Sequence, residues 1–179
     1  MPLVLLGKIE NGDRLLKPYR ATASALIDAP PKLVYDILAD YRGGHPLILP
    51  KSYFVSLDVE KGGVGAGTII SFQMHIFGKL QTFRAAITEP EPGRILVESD
   101  LDGTASTTSF IVDARDQNRS CEVTIATERM TERSGLLGAL ESFLAISFLQ
   151  RIYRAELKLL SELAVSNSRP GATKNVHAR

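Results

Sequence analysis

Residues 27–41 read Ile27-Asp28-Ala29-Pro30-Pro31-Lys32-Leu33-Val34-Tyr35-Asp36-Ile37-Leu38-Ala39-Asp40-Tyr41. The segment is a break followed by a helix. Asp28-Ala29-Pro30-Pro31 stops the extended stretch before it. Asp28 or Ala29 then precedes a first turn that tolerates proline, because that turn has no use for the N–H. A helix is predicted from about Pro31 to Asp40, with Leu33, Val34, Ile37 and Leu38 at the spacing of one buried stripe. Gly43-Gly44 ends it. A second short helix or turn follows, holding His45-Pro46-Leu47-Ile48-Leu49-Pro50.

Upstream, Arg20–Ile27 (RATASALI) reads as a strand. Before it, Asn11-Gly12 sits between two apolar stretches, which is a hairpin signal, so residues 1–19 read as an N-terminal extension or extra hairpin. Downstream comes a series of strand-like segments joined by short polar turns. They are Tyr53–Glu60, Thr68–Phe77, Leu80–Thr88, Arg94–Ser99, Thr107–Val112 and Ser120–Met130. Such spacing predicts an antiparallel meander.

The period then changes. From about Ser134 to Ala164 one proline-free helix is predicted, about 46 Å long at 1.5 Å per residue. In its first half Leu136, Leu140, Phe143, Leu144 and Ser147 share a side. In its second half Ile152, Tyr153, Leu159, Leu160 and Leu163 take roughly the opposite side. Arg151, Arg154, Lys158 and Glu162 continue the first side in polar form. The stretch Phe143–Leu149 (FLAISFL) is uncharged all round, which predicts cover on both sides of the helix there. Residues 165–179 lack an apolar period and hold Arg169, Lys174 and Arg179 without an acid, so a disordered tail is predicted. Residues 20–164 are left as one domain.

The 179 residues are 44% hydrophobic and 23% charged, which suits one globular core. There are 21 Lys plus Arg against 20 Asp plus Glu. So balanced a chain lacks the broad positive field of nucleic-acid binders. The lone Cys121 excludes an internal disulfide and a cysteine zinc cluster. His45, His75 and His177 are too far apart for a metal-ligand motif, so no metal is expected. No apolar run reaches the ~18 residues of a membrane span. Met1-Pro2-Leu3-Val4-Leu5-Leu6 lacks a basic n-region and a cleavage site, so no signal peptide and a cytoplasmic protein are expected. The loop Gly62-Gly63-Val64-Gly65-Ala66-Gly67 has no Gly-Lys-Ser/Thr ending and enters a strand. It reads as a mobile hairpin loop able to gate a cavity, and no cofactor is expected.

A strand, two short helices, six strands and one long helix describe an α+β arrangement. A twisted antiparallel sheet of about seven strands can wrap such a helix in its concave face. Together with the 27–41 motif, this order resembles the START-like, polyketide cyclase/dehydrase and lipid-transport superfamily and its helix-grip fold. Gly65-Ala66-Gly67-Thr68 and Glu89-Pro90-Glu91-Pro92-Gly93-Arg94-Ile95 resemble further parts of the family pattern. The resemblance covers about Thr22 to Ala164. It implies a cavity between sheet and helix for an apolar or amphipathic molecule: a lipid, a quinone or a polyketide-like ring system. The segment from Tyr41 to Pro50 partly resembles coenzyme-Q-binding relatives, with Gly43-Gly44-His45 in place of the expected residues. An aromatase/cyclase or dehydratase-type enzyme is the alternative, with Arg84, His75 and Tyr153 as candidates that align with no family catalytic position.

On that cavity reading, strand alternation nominates Phe72, Met74 and Ile76, then Phe83, Ala85 and Ile87, then Leu96 and Phe110 as lining. His75 then points outward. The helix offers Leu140, Phe143, Leu144, Ser147 and Arg151. The resemblance makes His45 a residue of the cavity lip, against a plain surface-loop histidine. Arg84, Arg151 and Arg154 are candidate anchors for a ligand acid, Arg154 alternatively forming an exposed ion pair with Glu156 or Glu98. A fully packed core without a hole is the competing expectation for the apolar set. A homodimer through Phe143–Leu149 is the competing expectation for the helix.

Overall fold

The computed structural model describes residues 17–103, 105–131 and 135–168. The first described element is strand β1 (Lys17–Ile27), which the Asp28–Pro30 break ends. Helix α1 spans Pro31–Ala39 with Pro31 in its first turn, and Val34 N–H reaches the Pro30 carbonyl at 3.2 Å. Val34, Tyr35, Ile37 and Leu38 form its buried face. Helix α2 is a single turn, His45–Ile48. Strands β2 (Phe54–Lys61), β3 (Ile69–Ile76), β4 (Lys79–Glu91), β5 (Ile95–Asp100), β6 (Thr107–Arg115) and β7 (Ser120–Thr131) follow, and helix α3 (Gly135–Ser168) is the last described element.

All the described strands join one antiparallel seven-stranded sheet in the order β1-β7-β6-β5-β4-β3-β2. Neighbours in sequence are neighbours in space, except that β1 pairs with β7, from Ile27 opposite Cys121 to Lys17 opposite Thr131. The curved sheet and long C-terminal helix make the helix-grip arrangement expected from element order. Bulges in β2, near Phe54–Ser56 and Val59–Lys61, and in the β4–β5 pair accompany the curvature.

Boundaries at both ends of the domain differ from the sequence reading. β1 takes in Lys17–Tyr19, which had been assigned to the N-terminal extension. The Asn11-Gly12 hairpin lies outside the described residues. Helix α3 continues beyond Ala164 to Ser168, so residues 165–168 are helical where a tail was predicted. Nothing in their composition stops a helix already anchored on the sheet. Residues 169–179 lie outside the described residues.

The core fills the space between the sheet's inner face, α1 and the second half of α3. Ile27, Val34, Leu38, Ile70, Ile87, Leu96, Ile125, Ile152 and Leu160 are fully buried there. Each such side chain stabilises the fold by about 1.5–3 kcal/mol relative to exposure. The docking energy of α3 therefore sits in Ile152, Leu157, Leu160 and Ala164. Its first half is different: Leu140, Phe143 and Leu144 are 54%, 65% and 49% exposed. The predicted two-sided cover of Phe143–Leu149 is thus incorrect at Phe143 and Leu144, while Ile146, Phe148 and Leu149 pack against the core.

The glycine-rich β2–β3 loop is not free to swing. Tyr41 N–H donates to the Gly63 carbonyl (2.9 Å), Gly65 N–H to the Ala39 carbonyl (2.9 Å) and Ala66 N–H to Glu89 Oε2 (2.7 Å). Arg42 holds the Gly62 carbonyl through Nε and Nη2. Gly65 has φ +58°, and a Cβ there would collide with the Glu89 carboxylate, so only glycine suits the position. The mobile gate read from composition is instead a clasp between α1 and the sheet.

Candidate functional site

The site begins with Asp40 at the end of α1. Its carboxylate accepts from the backbone N–H groups of Arg42 (3.1 Å), Gly43 (3.0 Å) and Gly44 (3.1 Å). This local turn reverses the chain and lays Tyr41 and His45 together. Their rings stack at 4.4 Å, and Phe110 meets the His45 ring edge-on at 5.6 Å. His45 is only 3% exposed. It is neither a surface-loop histidine nor a lip residue, because the turn drives it beneath α1.

The hydrogen bonds of His45 fix its tautomer. Its Nδ1 lies 2.7 Å from the Leu38 carbonyl, which can only accept, so Nδ1 carries hydrogen. Nε2 then faces Glu98 Oε1 at 3.8 Å. Glu98 points inward because it shares a face of β5 with the fully buried Leu96, two residues earlier. The Tyr41 hydroxyl donates to the same Glu98 oxygen at 2.7 Å. Burial raises the Glu98 carboxyl above its ordinary range, with His45 and Tyr41 pulling partly back. Burial and the neighbouring Glu98 charge push the Tyr41 phenol up in turn.

A second carboxyl comes from α3. Glu156 lies between Ile152 and Leu160 on the buried stripe and is 4% exposed. Burial first, and then the Glu98 charge, hold its carboxyl well above the usual range. No described residue donates a hydrogen bond to it. Among the described residues no fully sealed side-chain nitrogen or oxygen lacks a partner. Beside it, the Tyr153 hydroxyl bonds to the Thr127 hydroxyl, which bonds to Thr108 Oγ1 at 2.6 Å. Burial raises the Tyr153 phenol.

The other end of the inner face is aromatic. Phe72 stacks on Phe83 at 5.4 Å, and Phe54 leans on Phe72 at 6.1 Å. Phe148 of α3 meets Tyr53 at 5.6 Å and Phe77 at 5.1 Å. Phe54, Phe72, Phe83 and Ile76 are only half-buried although they face the helix side.

Of the residues nominated from sequence, Phe72, Met74, Ile76, Phe83, Ala85, Ile87, Leu96 and Phe110 come together on one inner face. His75 is exposed on the opposite face. The helix assignment needs correction: Leu140, Phe143, Leu144 and Arg151 are exposed and Ser147 is half-buried. They lie on another side of α3 from Ile152, Glu156 and Leu160, and that second stripe docks. Arg84 is a surface residue gripping Glu60, with Nη2–Oε2 at 2.6 Å. Arg154 pairs with neither Glu98 nor Glu156, because both carboxyls are turned inward and Arg154 is exposed. Glu98 and Glu156 were overlooked as site residues. Each had a signal: Glu98 alternates with Leu96, and Glu156 sits at helical spacing from Ile152 and Leu160.

The sequence profile of the polyketide cyclase / dehydrase and lipid transport family matches residues 18–165. No curated protein matches. Solved structures share the architecture. The KanY protein superposes with a TM-score of 0.71 at 23% identity, covering 83% of this chain and 99% of that one. The Zhui aromatase/cyclase from Streptomyces sp. R1128 gives 0.69 at 16% identity, covering 87% of this chain and 99% of that one. Norcoclaurine synthase from Thalictrum flavum, solved with dopamine and hydroxybenzaldehyde, gives 0.64 at 15% identity, covering 92% and 99%. At these identities the likeness concerns the fold, whereas the profile spans β1 to the end of the docked part of α3. The chain therefore belongs to the polyketide cyclase / dehydrase and lipid transport family.

Proposed function

We propose that this protein binds a small, mostly apolar molecule between the inner face of its sheet and α3. The observation that carries the reading is the grading of that face. One end offers half-buried aromatic rings, Phe54, Phe72 and Phe83. The other holds buried polar groups, Tyr41, His45, Glu98 and Glu156. Ligand sites are commonly apolar surfaces with a few convergent polar groups that fix orientation. A lipid, a quinone or a polyketide-like ring system fits such a surface. The family membership supports this class of ligand. Met74, Ile76, Leu96 and Phe110 complete the apolar wall.

The convergence of two carboxyls, a histidine and two tyrosines favours a second reading, an aromatase/cyclase or dehydratase-type enzyme. A neutral buried carboxyl can deliver a proton to a substrate oxygen, and a nearby carboxylate or imidazole can take one up.

Native mass spectrometry of the purified protein, with solvent extraction of whatever travels with it, tests the binding reading. A stoichiometric apolar molecule is expected, and Phe72→Asp abolishes its retention while circular dichroism stays unchanged. An empty protein that also fails to bind a fluorescent apolar probe overturns the reading.

A further inference from the structure

We propose that the open edge of β1, beside the second half of α3, takes an extended acidic peptide as an additional strand. This surface lies outside the sheet's inner face and is independent of the binding reading above.

The phase of β1 decides which backbone groups are free. β1 is an edge strand, and its register with β7 runs without a shift from Lys17 to Ile27. In an antiparallel pair a residue turns both its N–H and its C=O to the same side, and alternate residues turn away from the partner. The Thr22 carbonyl accepts from Gln150 Nε2 of α3 at 3.2 Å, so Thr22 faces the open edge. Ser24 and Leu26 share its phase. Two further observations agree. Pro18, which has no N–H for a ladder, has the same phase. The Ser24 and Thr124 hydroxyls lie 2.8 Å apart, as close side chains do in a pair without mutual backbone bonds.

Much of this edge is guarded. Pro18 and the charged Arg20 discourage pairing, and Gln150 covers Thr22. Among the described residues nothing bonds to the outward N–H or C=O of Ser24 or Leu26. These two sets of backbone groups lie about 6.8 Å apart along the strand, the repeat another strand presents. They open onto a groove of about 410 Å³ between β1 and α3, where Arg154, Leu157, Lys158 and Glu162 form the helix wall. Extended peptides commonly bind by joining such an exposed sheet edge.

Charge selects the peptide. Arg154 has no acidic partner among the described residues, and Lys158 meets Glu162 only at 3.9 Å, both exposed. Every second side chain of an added strand faces α3, so carboxylates there meet Arg154 and Lys158. The alternate side chains lie beside the exposed Leu26 and suit apolar residues. The chain's own residues 169–179 hold Arg169, Lys174 and Arg179 and no acid, the wrong charge for this groove. A second copy paired through β1 would bring like charges together.

Fluorescence anisotropy with a labelled heptapeptide of alternating valine and glutamate tests the proposal. Saturable binding is expected. Lysine in place of glutamate, and separately N-methylation of the peptide backbone, are each expected to weaken it at least about tenfold. Arg154→Glu is expected to weaken it about tenfold as well. Ser24→Pro removes one outward N–H and leaves the β7 ladder whole, so it is expected to weaken binding severalfold with an unchanged circular dichroism spectrum. Ser24→Ala, which keeps the N–H, is expected to bind as the wild type does. No binding at about 1 mM peptide, a Kd weaker than any useful recognition, overturns the proposal. Equal binding of the N-methylated or the lysine peptide also overturns it. So does self-association in sedimentation that Ser24→Pro abolishes, which would assign the edge to a second copy.

Discussion

Glu156 is the residue whose chemistry reaches furthest. In the unfolded chain it ionises near the ordinary value of 4.5, whereas in the fold burial and Glu98 hold it protonated to higher pH. Between those two values the native state binds more protons than the unfolded one. Stability therefore falls as pH rises from the unfolded pKa through the folded one. Glutamine cannot ionise and fills the same space. Glu156→Gln is expected to match the wild type in thermal unfolding near about pH 4, where both carboxyls are protonated, and to exceed it by several degrees at neutral pH. A melting-temperature series across that range checks it. Equal melting temperatures at every pH would mean that Glu156 is ionised in the fold. Sequence alone showed the acid but hid its setting. Its apolar neighbours on the stripe pointed inward, yet the rule that acids face water won the reading. The same rule set Arg154 against Glu156 as a surface pair.

At the scale of elements, α3 carries two stripes of comparable apolarity, and only one docks. Leu160 is fully buried while Leu140 is 54% exposed. Leu160→Ala is expected to cost about 2–5 kcal/mol in denaturant unfolding, the range of a buried leucine truncation. Leu140→Ser is expected to stay within about 0.5 kcal/mol of wild type, as exposed substitutions do. Comparable losses at both positions would mean that the first half of α3 also docks. Helical period announced both stripes, but period carries no information about which neighbour arrives. That choice belongs to the sheet. The strands were more legible. Alternation alone put Phe72, Met74, Phe83 and Leu96 on one face, because period 2 allows only two answers and the apolar set selects one. His45 was harder to place, since its burial depends on the Asp40 turn and the stack with Tyr41, neither of which has a periodic signature. The glycine-rich loop misled for a related reason: composition showed freedom of φ, while the contacts that restrain the loop come from Ala39, Arg42 and Glu89.

Across the whole molecule, the sheet and α3 depend on each other. The inner face carries Ile70, Ile87, Leu96, Phe110 and Ile125, and the second half of α3 covers it. A chain ended after Thr131 would keep all seven strands and lose that cover. Its exposed apolar surface would far exceed what a soluble monomer tolerates. Such a truncated chain is expected to aggregate, or to bind an apolar dye strongly and lose its cooperative melt. A monodisperse peak in gel filtration with a sharp unfolding transition would show instead that the sheet stands alone. The order of elements made this architecture readable early: six short strands in succession followed by one long helix leave few ways to bury both.

The pairing of β1 with β7 also has a meaning in time. A ribosome makes the first strand long before its partner exists. The roughly 100 residues between them take about 5–20 s to synthesise, whereas hairpins close in microseconds. The intervening strands can zip together as they emerge from the exit tunnel, each beside the one just made. β1 must wait through that whole interval as a nascent edge with nothing to join. Pro18 and Arg20 within it are residues that discourage strand addition by a stranger. The first strand of this sheet finds its place only when the last has been made.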